Sequence, residues 1–229
     1  MTGRPARQYP VTPHLRWLSD QPLAGGVRLS DAGRAALLAS ALTVEEKVDG
    51  DNIGFSTAGG AVRVQRRRAF LGPHDGWRYP ALDAWRRART DRLVSGLGEQ
   101  LILFGEWCAA RHTLPYDRLP DWFLAFDILD RRSGAFWDTG RRDAWCAEHG
   151  IAVVPRIAAG RFDETGLLDL IGPSALGDVT MEGVVVRAGG DGILRRRAKL
   201  IRADFVQADS ESWRPTDIRM NRAPDRSRR

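Results

Sequence analysis

Apolar residues recur along this chain in two rhythms, every third or fourth position in some segments and every second position in others, and the alternation divides it into helices and strands. Behind Ser30, the residues Leu37, Leu38, Ala41 and Leu42 fall at helical spacing, which predicts a helix capped by Ser30 and running from Asp31 to about Ala41. Short β-type runs follow over 45–48 and 53–57, on either side of an Asp49-Gly50-Asp51 turn. Gly59-Gly60 then leads to 62–65 as a hairpin partner. Residues 79–97 read as one helix with Leu82, Trp85, Ala88, Leu93 and Leu97 towards one side and arginines elsewhere; that arginine face is a solvated surface or, alternatively, a phosphate track. Two runs dense in aromatic and branched residues, 100–107 and 123–129, are predicted as buried strands of a central sheet. Residues 138–149 read as a helix, 153–154 as a short strand and 163–171 as a helix. A final hairpin pairs 183–187 with 192–201 across Gly189-Gly190-Asp191-Gly192. The fold class is α+β with mostly antiparallel strands.

Composition narrows the setting. With 229 residues, 43% of them hydrophobic, the chain suits one substantial domain, expected over 15–213. Residues 1–14, carrying Arg4, Pro5, Arg7, Pro10 and Pro13, read as an extended lead-in, and 214–229 as a basic, disordered tail. A formal charge of +6 and a pI near 10.1 favour a polyanionic partner. Cys108 and Cys146 fit no CxxC spacing and the histidines show no zinc-ligand pattern beside them, so both cysteines are expected as reduced packing residues. No apolar run approaches the ~20 residues of a bilayer span, and no secretory signal opens the chain. The expectation is a soluble, cytoplasmic protein.

The 35 basic residues divide into 33 arginines and two lysines, Lys47 and Lys199. Arginine cannot stand in for lysine where the nitrogen must lose a proton and attack, because a guanidinium stays protonated at physiological pH. Lys47 is therefore a candidate nucleophile, with a coding bias against lysine as the alternative that scarcity alone leaves open. Its surroundings carry more. Glu46-Lys47-Val48-Asp49-Gly50-Asp51-Asn52 sets an amine beside carboxylates, a turn glycine and an amide. Phe104-Gly105-Glu106-Trp107 and Phe126-Asp127-Ile128 each place a carboxylate at a strand end. Met181-Glu182-Gly183-Val184-Val185-Val186 opens a strand with another, and Arg197-Ala198-Lys199-Leu200-Ile201-Arg202 closes the hairpin with cations.

In that order, over residues 45–205, these segments resemble the nucleotidyltransferase motifs of covalent polynucleotide ligases and capping enzymes. The match is nearest to ATP-dependent RNA ligases of the kind typified by the second RNA ligase of T-even phage. The resemblance implies an adenylation domain with an ATP-grasp-like ligase core and a three-step reaction. Lys47 attacks the ATP α-phosphate, AMP passes from lysyl-AMP to a polynucleotide 5′-phosphate, and a 3′-OH displaces it. It further implies that Glu46 contacts the nucleotide, that Asn52 contacts its ribose-phosphate region or the terminal 3′ nucleotide, that Glu106 bonds the ribose hydroxyls, and that Phe126 stacks on adenine with Val185 on the other face. Glu182 would hold Mg²⁺ or Mn²⁺, Lys199 would contact the α-phosphate with Arg197 beside it, and Arg67 or Arg68 would engage phosphate. On periodicity alone Phe126 and Val185 are sheet core.

Asp49 and Asp127 are expected to hold turns or arginines rather than to catalyse. His112 belongs to a polar network or touches phosphate. A lysine near its ordinary pKa is protonated at neutral pH, so Lys47 is expected to be lowered by burial or by neighbouring cations, namely Lys199, Arg197 or a metal. The chain departs from the family where a second motif V lysine would stand, since Ile201 occupies that position. Family members often carry a further C-terminal domain, so either the core with its basic tail suffices or a partner supplies the module. The expected function is sealing of nicked duplex RNA or RNA 5′-phosphate ends. Alternatives are a DNA ligase, a GTP-dependent capping enzyme, or a non-catalytic nucleic-acid-binding derivative of the fold.

Overall fold

The computed structural model describes residues 6–18, 26–66, 69–206 and 214–224. In chain order the elements are α1 (Asp31–Leu38), β1 (Leu42–Glu46), β2 (Asp51–Ala58), β3 (Ala61–Arg66), β4 (Ala69–Phe70), α2 (Leu82–Arg87), α3 (Thr90–Leu97), β5 (Leu101–Trp107), β6 (Phe123–Asp130), α4 (Thr139–Glu148), β7 (Arg156–Gly160), α5 (Glu164–Asp169), β8 (Gly183–Gly190) and β9 (Ile193–Ile201). They build two antiparallel sheets, one ordered β7-β1-β8-β9 and the other β4-β3-β2-β5-β6. The mixed α+β expectation holds, and β1 and β2, adjacent in sequence, belong to different sheets. The turn at 47–50 is therefore the crossing point between them.

Alternation along the strands sorts side chains into layers. Val44, Val184, Val186, Ala198 and Leu200 pack beneath the first sheet against Leu37 of α1 and Leu167 of α5. Ile53, Phe55, Leu103 and Phe123 pack the outer face of the second sheet against Leu82 and Trp85 of α2 and Leu93 and Leu97 of α3. A third cluster, with Val48, Ile102, Phe104, Leu124 and Phe126, fills the inner face of the second sheet. The opposite face of the first sheet, carrying Glu45, Val185 and Lys199 in one cross-strand row, is left for polar work.

Several boundaries differ from the sequence reading. Ser30 caps α1 as expected, its hydroxyl accepting from the Gly33 N–H at 3.1 Å, but the helix stops at Leu38 because Leu42 is already strand. The single helix expected over 79–97 is two. Arg89, at the break, is pinned by Asp121 at 2.6 Å and lies over the Trp85 ring, which leaves Ala88 exposed and turns Leu93 and Leu97 back to the core. Residues 153–154 make only a bridge to Ala125, while β7, unmarked by any alternation, forms an edge strand. Of the strands expected in the sheet centre, β5 is interior and β6 is an edge. Cys108 and Cys146 are buried and unbridged, and no helix among the described residues is long and apolar enough to cross a membrane.

Candidate active site

Lys47 leaves β1 at the crossing point. Its N–H bonds the Gly183 carbonyl and the Glu46 N–H bonds the Pro155 carbonyl, both at 2.9 Å, so the exit from the strand is held on two sides. Close backbone approach fixes the rest of the turn. A Cβ on Gly50 would lie 2.9 Å from the Trp107 carbonyl oxygen and 3.2 Å from the Glu106 Cβ, so only glycine lets the turn rest against the end of β5. Asp49 accepts the Thr113 and Leu114 N–H groups at 2.7 and 2.8 Å and donates its own N–H to the Tyr116 hydroxyl. Asp49 is thus a structural carboxylate that ties the turn to the 108–116 loop.

Past the turn, Asn52 and Glu106 are direct cross-strand partners and project to the same side. On β6 the pairs Gly105 with Ala125 and Phe104 with Asp127 leave Phe126 as an extra residue. This β-bulge shifts the β5–β6 register beside Phe126, which stays with Leu124 on the inner face and lines the cleft.

Glu46, Lys47, Asn52, Glu106, Phe126, Glu182, Val185 and Lys199 all line one cleft of about 890 Å³. Arg197 is not among its lining residues. It bonds Asp127 at 3.0 Å and lies over the rings of Tyr9 and Phe136, so its charge is spent on the wall rather than the cavity. Arg67 and Arg68 lie outside the described residues, and Arg66, one position earlier, lines the cleft. The sequence reading missed Arg78, Tyr79 and residues 8–12, which also line it. Tyr9, from the segment read as lead-in, packs edge-on against Phe126 at 5.1 Å and donates to Asp127. Its one sequence signal is an aromatic among prolines and polar residues. His112 faces Asp51 at 3.4 Å and lines the same cavity.

Beneath the cleft a buried ion network joins the two sheets. Glu45 accepts from Arg142 at 2.5 Å and from Arg187 at 2.6 Å; Arg187 also bonds Asp127 at 2.7 Å, and Arg142 bonds the Phe126 carbonyl at 2.7 Å. Glu46 turns the other way and accepts from the Ser174 hydroxyl and the Ala175 N–H.

Electrostatics reverse one expectation. Burial alone would lower the Lys47 pKa, but the carboxylates of Glu182, Glu106 and Asp49 outweigh it and hold the ammonium above the usual lysine range. The Lys47 Nζ lies 3.1 Å from Glu182. Lys199 is the depressed amine: burial, then the nearby Lys47 charge, bring it to about 8. Burial, reinforced by Glu182 and Asp51 against the pull of Lys47, raises Glu106 to about 8, and burial likewise raises Glu182. Among the described residues no three His, Cys, Asp or Glu side chains converge as a metal-binding set. Glu182 nonetheless lines the cleft beside Glu106, and hard oxygen donors supplemented by phosphate and water suit Mg²⁺ or Mn²⁺.

A lysine paired with a carboxylate, a second lysine, a further buried glutamate and a phenylalanine at a bulge around one cavity agree with the comparison to known proteins. The family model for RNA ligase matches residues 40–201, well over half of the chain. The chain belongs to the RNA ligase family. No curated protein matches it. Among solved structures, this RNA ligase-family domain is similar to the RNA ligase of Naegleria gruberi. A variant solved with ATP and Mn is 19% identical with a TM-score of 0.59, over 88% of this chain and 63% of that one. An unliganded variant is 19% identical with a TM-score of 0.60, over 88% and 62%. The form solved with pyrophosphate is 18% identical with a TM-score of 0.59, over 85% and 61%. These likenesses establish the fold, and the chain spans less than two thirds of the length of the ligases it matches.

Proposed function

We propose that this domain is an ATP-dependent RNA ligase that joins 5′-phosphate and 3′-OH ends through a lysyl-AMP intermediate. The observation that carries the reading is the convergence of Lys47, Glu106, Glu182, Val185, Lys199 and Phe126 on one cleft, in the order of the family's motifs. The Naegleria structures holding ATP, AMP and Mn support the choice of nucleotide and metal class.

In the first step the bond between the Lys47 Nζ and the α-phosphorus forms. The bond from that phosphorus to its bridging oxygen breaks and pyrophosphate leaves with the electron pair; the Lys47 ammonium gives up one proton before attack, which frees its lone pair, and a second as the phosphoramidate forms, both to solvent. Phe126 and Val185 sandwich the adenine, Glu106 accepts from the ribose hydroxyls, and Lys199 neutralises charge growing on the α-phosphate. Asn52 and Arg66 then orient the polynucleotide phosphate. A divalent cation held by Glu182 would supply charge neutralisation, both for the phosphate and for the carboxylate nearest Lys47, whose pull keeps that amine protonated.

The test is sealing of a nicked duplex carrying ribonucleotides on the 3′-OH side, with ATP and Mg²⁺ or Mn²⁺. Joined product is expected with ATP and not with GTP, and salt should weaken RNA binding steeply. Sealing of all-DNA nicks with no preference for ribonucleotides would replace the RNA ligase reading with a DNA ligase one.

A further inference from the structure

The first sheet does not end at β9. The Lys199 N–H bonds the Pro13 carbonyl and the Leu15 N–H bonds the Lys199 carbonyl, both at 2.9 Å, which is a parallel bridge between His14 and Lys199. His14 in turn bridges Arg28 in parallel, through the His14 N–H to the Val27 carbonyl and the Leu29 N–H to the His14 carbonyl. Bridged residues carry their side chains on the same face of a sheet. Glu45 pairs with Val185, Val185 with Lys199, Lys199 with His14 and His14 with Arg28, so one row crosses the sheet. Its first three members line the nucleotide cleft, and His14 and Arg28, which are not among the lining residues, prolong the row beyond Lys199.

His14 is unusual in this row. It is 3% exposed, its ring is seated 4.0 Å from that of Trp17, and its Nε2 has no hydrogen-bond partner among the described residues. A buried ring nitrogen left unpaired is costly unless something not yet present pairs it. Burial, with Lys199 and Lys47 adding to it, brings its pKa to about 4, so the ring is neutral at physiological pH. In its Nε2–H tautomer it donates to a phosphate oxygen without adding another buried cation, and exposed Arg28 supplies the charge further out.

We propose that Lys199, His14 and Arg28 form a pyrophosphate track, along which the β- and γ-phosphates of the nucleotide lie and pyrophosphate departs. This rests on the reading of the cleft as an adenylylation site. Two amines of the family's chemistry are replaced here by one lysine and a strand-borne histidine and arginine, which explains how the domain orients the leaving group although Ile201 stands where a second cation is expected.

The reverse reaction tests the track. Lysyl-AMP protein, made at saturating ATP, is treated with increasing pyrophosphate. An oxygen of pyrophosphate bonds the phosphorus, the P–N bond breaks, Lys47 regains two protons to return to its ammonium and ATP is released, so loss of AMP is read by intact mass. Three variants are compared: Arg28→Ser, His14→Phe, which keeps the stack on Trp17 but removes the nitrogen, and His14→Gln, which restores a donor. The expected result is that Arg28→Ser and His14→Phe each raise the half-saturating pyrophosphate about tenfold, the scale of one charge-assisted hydrogen bond, while His14→Gln recovers most of the loss. Unchanged pyrophosphate dependence in both Arg28→Ser and His14→Phe would overturn the track. So would a defect confined to nick sealing, which would assign these residues to polynucleotide phosphates instead. Failure of the unaltered protein to form any adduct is a different result and counts against the adenylylation reading itself.

Discussion

Lys47 is held protonated by the carboxylates that surround the chemistry proposed for it, and His14 is held neutral by burial, with the charges of Lys199 and Lys47 adding to it. Each charge in the cleft is set by its burial and its neighbours rather than by its own type, which is why residue identity alone could not give the charge states. From sequence, Lys47 and Lys199 were conspicuous by scarcity and Glu106 and Glu182 by motif, but the direction of the Lys47 shift depends on a 3.1 Å contact between residues 135 positions apart. A consequence that separates His14 from the rest is acid stability. Its folded pKa of about 4 lies below the ordinary 6.5, so the unfolded chain takes up a proton that the folded chain refuses. Stability present above pH 6.5 is therefore lost as pH falls towards 4, by on the order of 2–3 kcal/mol for a shift of this size. The raised carboxylates run the other way, gaining stability on acidification, so the measurement is a difference. In thermal melts the unaltered protein should lose stability relative to His14→Phe as pH drops from 7 to 4, and parallel curves would contradict the assignment.

At the scale of elements, the site depends on irregularities. A bulge shifts the β5–β6 register at Phe126, a glycine lets the 47–50 turn touch β5, and a break at Arg89 splits one expected helix into two. Regular rhythm made α4, α5, β5 and β9 legible; exceptions to rhythm are set by tertiary contacts and carry no local mark. Gly50→Ala tests the turn. Forcing a Cβ to 2.9 Å from a backbone oxygen should cost about 1–3 kcal/mol and displace Lys47, so adduct yield and melting temperature fall together. A variant that keeps both would show that the turn has room.

A second element-scale test concerns residues 214–224. The buried Asn221 accepts from the Tyr116 N–H and donates to the Cys108 carbonyl, both at 2.8 Å, and so braces the loop that carries His112 and holds Asp49. Asn221→Ala leaves two buried backbone groups unpaired and should destabilise by about 1–3 kcal/mol in urea denaturation. A change within about 0.5 kcal/mol, ordinary for a surface position, would make this segment incidental to the fold.

For the whole molecule, the two sheets are joined under the cleft by charge as well as by apolar packing. Glu45 and Arg187 come from the first sheet, Asp127 from the second and Arg142 from α4, all buried. Removing one partner of a buried pair typically costs about 3–5 kcal/mol. Arg187→Met should fall at the low end because Arg142 and Arg197 still face the two carboxylates. Adding Glu45→Gln, which leaves Arg142 on Asp143 and Arg197 on Asp127, should recover much of the loss, and no recovery would mean that Arg187 acts through packing alone. The α+β class and the antiparallel habit were readable from alternation, whereas the division into two sheets was not, because the crossing at 47–50 looks like any hairpin turn in sequence.

The central claim is that this cleft makes a covalent bond to AMP at Lys47. Intact mass of the purified protein, first stripped with pyrophosphate and then incubated with ATP and Mg²⁺ or Mn²⁺, tests it most directly, beside GTP and beside Lys47→Arg. The account predicts a gain of one AMP with ATP alone and none in the variant, whose guanidinium keeps the charge but cannot attack. An adduct of normal yield in Lys47→Arg, or none in the unaltered protein with either metal, would contradict it.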